Sequence, residues 1–243
     1  RSAVSESFRG LRTSLQFSFE KQGKEQTNRC ILVTSSVSGE GKTFTAINLA
    51  SVFSLSDKKT LILGLDLRKP KIFDDFDLHN EVGAVDYLAG ESNVTNIIQK
   101  TGYKNLDVIT SGSIPPNPSE ILMGEKINQL IAELKERYDY IVMDTPPIGL
   151  VADALNLMKF ADASLYMIRQ DYTKKGMLGI INEKYEKGEV ENISFVLNYF
   201  RQKAKYGYSY RYDYGYGYGK YGQAYLEQDK KSNFLRKIFK SKL

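Results

Sequence analysis

At 243 residues and 42% hydrophobic content, the chain is long enough for one large α/β domain or two small ones, and no apolar run approaches the roughly 20 residues of a membrane helix, nor is a signal peptide visible. Cys30 is the single cysteine, which excludes an intramolecular disulfide and fits a reducing compartment. The net charge is +5, yet residues 230–243 alone carry +6, leaving −1 for the rest; a near-neutral body argues against a nucleic-acid-binding protein.

In chain order, Ser2 to Lys21 reads as a helix, with Val4, Phe8, Leu11, Leu15 and Phe19 at helical spacing. A polar linker runs from Lys21 to Asn28. Arg29 to Thr34 is a short continuous apolar run of the kind that forms a buried parallel strand. A Gly-rich turn follows, then an amphipathic helix from Lys42 to about Leu55. Further strands are expected at Thr60–Leu65, Leu106–Thr110, Tyr140–Met143, Ser164–Ile168 and Ser194–Leu197, with helices near Glu125–Arg137 and Lys174–Lys187. Strands alternating with helices imply right-handed crossovers and a mostly parallel sheet covered on both faces. The expected organisation is an N-terminal helix and linker (1–28), one α/β domain (29–200) and a disordered C-terminal tail (201–243). Because the chain starts at Arg1 rather than Met, we expect it to be a piece of a longer protein, with any membrane segment upstream.

The tail holds Tyr206, Tyr208, Tyr210, Tyr212, Tyr214, Tyr216, Tyr218, Tyr221 and Tyr225, more than half of the 17 tyrosines, separated mostly by turn and loop formers. A strand is one reading of the alternation and a sticky low-complexity segment another. The third is a row of accessible phenol hydroxyls able to accept phosphate. Beyond it, Leu235, Ile238 and Phe239 share a helical face among Lys230, Lys231, Arg236, Lys237, Lys240 and Lys242, which suits an anionic membrane surface. A solvated basic terminus is the alternative.

Strand, turn and helix meet at Ser36-Val37-Ser38-Gly39-Glu40-Gly41-Lys42-Thr43, which fits the phosphate-binding template G-x-x-x-x-G-K-[ST] except that Ser36 replaces its first Gly. Gly39 and Gly41 let backbone N–H groups turn around a phosphate without a Cβ in the way. Lys42 supplies a point charge for the β/γ oxygens, the Thr43 hydroxyl a ligand for Mg²⁺, and the helix its positive end. Between a buried strand and a helix this pattern points to a nucleoside triphosphate, and so to a P-loop NTPase-like sheet. Asp144, at the end of strand Tyr140–Met143, is costly to bury unless it meets a cation or donors, the position of a Walker B acid. Capping of the next turn is the alternative. Asp66 lies two residues beyond Gly64 and reaches the same sheet edge, where open α/β sheets bind ligands; a helix-starting or salt-bridged Asp is the other reading. His79, the lone histidine, cannot build a metal cluster by itself.

Together, Ser-Gly-Glu-Gly-Lys-Thr (38–43), Leu-Asp-Leu-Arg-Lys-Pro (65–70), Ile-Pro-Pro-Asn-Pro-Ser-Glu-Ile-Leu (114–122) and Met-Asp-Thr-Pro-Pro (143–147) resemble the bacterial tyrosine kinases, autophosphorylating P-loop enzymes attached to capsular and exopolysaccharide exporters. The likeness covers nearly the whole chain, tyrosine row included. It implies ATP and Mg²⁺, with Ser38, Gly39, Glu40, Gly41, Lys42, Thr43 and Phe44 around the nucleotide and Asn198 near the adenine, a plain turn residue being the other reading of Asn198. It further implies metal ligation by Thr43, Asp66 and Asp144, and a catalytic set of Lys42, Asp66, Asp144 and Arg68. The nine tail tyrosines become acceptors. Glu6, Arg9 and Arg12 match the family's E-x-x-R-x-x-R oligomerisation motif; their spacing places them near one helical face. Implied partners are other copies in a cyclic homo-oligomer, a membrane-embedded activator or upstream transmembrane domain, polysaccharide export machinery and a tyrosine phosphatase, at the cytoplasmic face of the plasma membrane. The family's Asp-x-Asp-x-Arg motif reads Gly64-Leu65-Asp66-Leu67-Arg68 here, so its first acid is absent. Two rival readings are a membrane-associated positioning ATPase of the ParA/MinD kind and a nucleotide-binding assembly scaffold with little catalysis.

Overall fold

The computed structural model describes residues 2–21, 28–149 and 153–201. The tyrosine row, the basic amphipathic end and most of the polar linker lie outside the described residues. Seven strands form one sheet in the order β3-β4-β2-β5-β1-β6-β7, all pairs parallel except β3 with β4. The strands are β1 (Arg29–Ser35), β2 (Thr60–Gly64), β3 (Gln99–Lys100), β4 (Leu106–Ile109), β5 (Tyr140–Asp144), β6 (Ala163–Arg169) and β7 (Ile193–Asn198). The six strands expected from apolar runs are present. The seventh, β3, has two residues and one polar side chain per position, too little for an apolar signal.

The central strands β1, β2 and β5 are buried throughout, because helices cover both faces. On one face Ile31, Val33, Ile62, Val142, Leu165 and Met167 meet α2 (Lys42–Ser54) and α1 (Ala3–Lys21). On the other, Leu32, Leu63, Ile141 and Met143 meet α7 (Lys126–Lys135) and its neighbours α4 (Ala84–Ala89), α5 (Val94–Ile97), α6 (Pro118–Met123), α8 (Asp153–Met158) and α9 (Gly179–Glu186). A short α3 (Ile72–Phe76) follows β2, with Ile72 buried against the first face. A 3-10 turn, Lys175–Leu178, precedes α9, so the single helix expected from Lys174 is two pieces.

Helix α2 differs from its amphipathic reading. Every residue from Thr45 to Ser54 is buried, since the sheet lies on one side and α1 on the other. Its polar side chains turn back onto its own backbone: Asn48 Nδ2 donates to the Phe44 carbonyl and Ser51 Oγ to the Ile47 carbonyl. The N-terminal helix therefore belongs to the same core, inserting Phe8, Leu15 and Phe19, each stabilising by about 1.5–3 kcal/mol when fully buried.

Candidate active site

The register of the centre places Val33, Gly64 and Asp144 side by side at the C-terminal ends of β1, β2 and β5. The chain after β5 is stitched to β1: Thr145 Oγ1 donates to the Val33 carbonyl at 3.0 Å, Thr34 Oγ1 to the Pro146 carbonyl at 2.9 Å, and the Ile148 N–H to the Ser35 carbonyl at 2.9 Å. The Met-Asp-Thr-Pro-Pro motif is thus a rigid extension of the sheet. Asp144 sits on it, buried at 3% exposure and facing the start of α2.

Across from it, the loop after β1 wraps into α2. Gly39 and Gly41 hold φ of +87° and +97°, conformations that glycine adopts without strain. A Cβ on Gly41 would come within 2.1 Å of Asn198 Nδ2. Helix α2 begins with no side chain capping its first turn, so its leading N–H groups face the loop, the arrangement that receives anions. Thr43 Oγ1 donates to Asp144 Oδ2 at 2.7 Å. Asp144 Oδ1 is buried without a hydrogen-bond partner among the described residues.

That orphaned oxygen beside a hydroxyl is a hard-oxygen donor pair, which fits Mg²⁺. The protonation chemistry agrees. Burial pushes the Asp144 carboxyl up to about 7, against the opposing pull of the Thr43 hydrogen bond and the Lys42 charge. Burial likewise lowers the Lys42 ammonium, while Asp144, Asp66 and Glu40 pull it back up. Both groups lack a full complement of solvation that a phosphate–metal pair would supply.

A cavity of about 980 Å³ opens above these residues. Ser38, Gly39, Gly41, Lys42, Thr43, Phe44 and Asp66 line it, as does Asn198 from the end of β7. Its remaining walls include Val4 and Phe8 of α1, and Tyr199 and Phe200, where the described chain ends one residue later. Phe44 is partly exposed and meets Phe8 edge to face at 5.9 Å. Asp66 Oδ1 accepts the Lys69 N–H at 3.1 Å, a tight turn that presents Lys69 and Lys71 to the same cavity.

Other residues singled out from the sequence lie elsewhere. Arg68 does not line the cavity; it pairs with buried Asp153 at 3.1 Å and donates to Ser119 Oγ at 2.8 Å, joining two of the sequence motifs. Glu6 and Arg9 pair with each other at 2.6 Å on the half-exposed side of α1. Arg12 reaches inward and donates to the Val52 carbonyl at 2.8 Å. Where the first acid of the second motif is absent, a Cβ on Gly64 would lie 3.3 Å from both the Ile109 carbonyl and Ser111 Oγ, so the packing there is built around glycine. His79 offers backbone groups to Gln99, and no group of three or more His, Cys, Asp or Glu side chains able to hold a metal occurs among the described residues.

Residues 28–192 match the family model of the AAA domain. The chain is 42% identical over 176 residues to the tyrosine-protein kinase YwqD of Bacillus subtilis, covering 72% of each. It belongs to the bacterial tyrosine kinases. The tyrosine-protein kinase etk of Escherichia coli is 35% identical over 193 residues, 79% of this chain but 26% of that protein, so the chain spans about a quarter of such longer relatives. The solved kinase domain of Escherichia coli ETK superposes with a TM-score of 0.78 at 34% identity, covering 88% of this chain and 82% of that one. The sheet and P-loop of this kinase are therefore those of its family's catalytic domain. The end of β6 and the loop after it, with Arg169, Tyr172 and Thr173 bonded to the P-loop, were not singled out by sequence reasoning. Their place at the C-terminal end of a parallel strand, where open α/β sheets bind ligands, is the signal that could have found them.

Proposed function

We propose that this kinase binds Mg-ATP in the cavity above the P-loop and transfers the γ-phosphoryl group to tyrosines of its own C-terminal segment, between subunits of a ring. The observation that carries the reading is the Thr43–Asp144 contact beside Lys42 and Asp66, in a cavity whose wall at Tyr199 and Phe200 leads directly into the tyrosine row. Lys42 and the P-loop amides would hold the phosphates and take up charge on the transferring group. Mg²⁺, held by Thr43 and Asp144 with Asp66 nearby, would neutralise the β and γ oxygens. Asp66 orients the acceptor phenol, whose free pKa near 10 demands help at neutral pH, and receives its proton. The phenolate oxygen forms the new bond to phosphorus, the bond to the β–γ bridging oxygen breaks, and ADP leaves.

The ten residues from Phe200 to Tyr210 reach at most roughly 33–36 Å, enough to enter a neighbouring site. In the proposed ring Arg9, beside Glu6 on the half-exposed side of α1, meets acids of the next subunit, a head-to-tail contact that closes by cyclic symmetry, while Arg12 holds α1 to α2. Phosphates on the tail, each adding about −1.5 to −2 charge, would loosen that ring. The resemblance to the family adds a membrane-bound activating segment, polysaccharide export machinery and a tyrosine phosphatase as the proposed partners, at the cytoplasmic face of the membrane.

The test mixes two chains: Lys42→Ala with its tail, and an active chain lacking residues 202–243. Incubation with Mg-ATP is followed by intact mass. Phosphate on the Lys42→Ala chain supports transfer between subunits. No phosphate on it overturns transfer between subunits. The same incubation of the full chain separates the rivals: free phosphate without label supports the ATPase reading, and the absence of both label and free phosphate supports a scaffold.

A further inference from the structure

From Ser38 to Glu40, each successive main-chain carbonyl of the P-loop is taken by a side chain from the β6–β7 end of the sheet. Tyr172 Oη donates to the Ser38 carbonyl at 3.0 Å, Arg169 Nη1 to that of Gly39 at 2.8 Å, and Asn198 Nδ2 to that of Glu40 at 3.0 Å. The buried Glu40 side chain is fixed as well. Its Oε2 accepts the Val37 N–H at 2.9 Å, and its Oε1 accepts from Thr173 Oγ1, which in turn receives the Arg169 N–H at 2.8 Å. Arg169 lies between two rings, its guanidinium carbon 4.1 Å from the centroid of Tyr199 and 4.8 Å from that of Tyr172. Arg201 is tied to the segment that follows β6: Gln170 exchanges hydrogen bonds with its backbone, at 2.7 and 3.2 Å.

A trans peptide is planar, with its carbonyl and the following N–H pointing to opposite sides. Anchoring the carbonyls of Ser38, Gly39 and Glu40 on one side therefore aims the N–H groups of Gly39, Glu40 and Gly41 to the other. Converging N–H groups are what a phosphate needs. Without anchors, the two positive-φ glycines leave these peptide planes easy to rotate, and binding would carry the cost of ordering them. We propose that Arg169, supported by Tyr172, is a positioning residue that pre-orients the P-loop amides from behind and links them to Tyr199 at the root of the C-terminal segment. Neither Arg169 nor Tyr172 lines the cavity, so their influence on an occupant passes through the loop.

The inference rests on the P-loop being the phosphate site, and the experiment separates the two. Binding of a fluorescent ADP with Mg²⁺, and of inorganic tripolyphosphate in competition, is measured on the full chain. Loss of a charged hydrogen bond predicts that Arg169→Ala weakens both probes about tenfold or more. Arg169→Lys keeps a donor but loses the planar packing between rings, and falls between wild type and Ala. Tyr172→Phe keeps the ring and loses one neutral hydrogen bond, for roughly a threefold loss. The unfolding midpoint of the nucleotide-free variants stays within about 2 °C of wild type, a loss confined to the loop. Variants that bind both probes within twofold of wild type overturn the proposal, as does weakening that merely tracks lost stability. If Arg169→Ala fails to fold, Tyr172→Phe decides. A wild-type chain that binds neither probe overturns the phosphate-site reading and the clamp with it.

Discussion

Strands β1, β2 and β5 are buried along their whole length, whereas β7 leaves Phe195 and Leu197 more than half exposed at 55% and 53%. Both regions serve one site. The centre supplies Asp144 and the start of α2, groups whose chemistry depends on desolvation and fixed position. The edge supplies Asn198 and the side chains behind the P-loop, groups that orient backbone, and it carries the chain out toward the tyrosines. Packing is tightest where the buried charge is held and looser along β7.

The comparison breaks first, and most visibly, at Lys42. Removing this centre-held cation should lower phosphate incorporation by at least about 10²–10³-fold, the range for a single group that stabilises transition-state charge. Rates of label uptake in Lys42→Ala chains, at saturating Mg-ATP, measure it. A drop of less than tenfold would mean that the centre does not carry the chemistry.

One residue type on two strands gives the next contrast. Leu63→Ala on β2 removes a fully buried side chain and should cost about 2–5 kcal/mol, while Leu197→Ala on β7 should stay within about 0.5 kcal/mol. Urea midpoints at constant m-value report both. Equal losses would erase the distinction between centre and edge.

The pH dependence of the nucleotide-free protein sharpens the same point. An unfolded Asp titrates near 3.9, and folded Asp144 near 7, so between those values the native state holds the extra proton. By linkage, this group's contribution to stability is greatest below about pH 4, is lost as pH rises toward 7, and is flat above. Lys42, with its ammonium shifted down from 10.5 by burial, contributes with the opposite sign, favouring the folded state more as pH rises. The decline is at most about 4 kcal/mol, at about 1.4 kcal/mol per unit. Urea unfolding from pH 4.5 to 7.5 should show it in wild type, and Asp144→Asn should flatten it. A wild-type curve that rises over that range would contradict the assignment.

The same division explains what could be read from the chain. Cys-Ile-Leu-Val, Leu-Ile-Leu and Ile-Val-Met are continuous apolar runs because both their faces are covered, and such runs announce parallel strands directly. Asp144 was legible because a carboxylate ending such a run needs a partner. Edge features gave no such signal. Helices α3 to α6 have four to six residues each, too short for periodicity to register. Arg169 ends β6 where the sequence turns polar, and only the folded chain brings it to Gly39, 130 positions away. Helix α2, buried all round from Thr45 to Ser54, reads as amphipathic because its Asn48, Ser51 and Ser54 look like a polar face, whereas they bond to carbonyls within the helix.

The smallest expected effect concerns Glu6 and Arg9. Their pair lies at i,i+3 with each side chain about a third exposed, so in a lone subunit Glu6→Gln should change stability by no more than about 0.5 kcal/mol. Arg12 offers a control on the same helix. Its bond to the Val52 carbonyl ties α1 to buried α2, and Arg12→Ala should cost about 1–2 kcal/mol by leaving that carbonyl short of a donor. Light scattering then separates fold from assembly. If Glu6→Gln or Arg9→Ala abolishes a higher oligomer while the urea midpoint barely moves, these side chains act on another subunit. An unchanged oligomer would leave them as a solvated pair, and the surface that closes the ring would have to lie elsewhere on the chain.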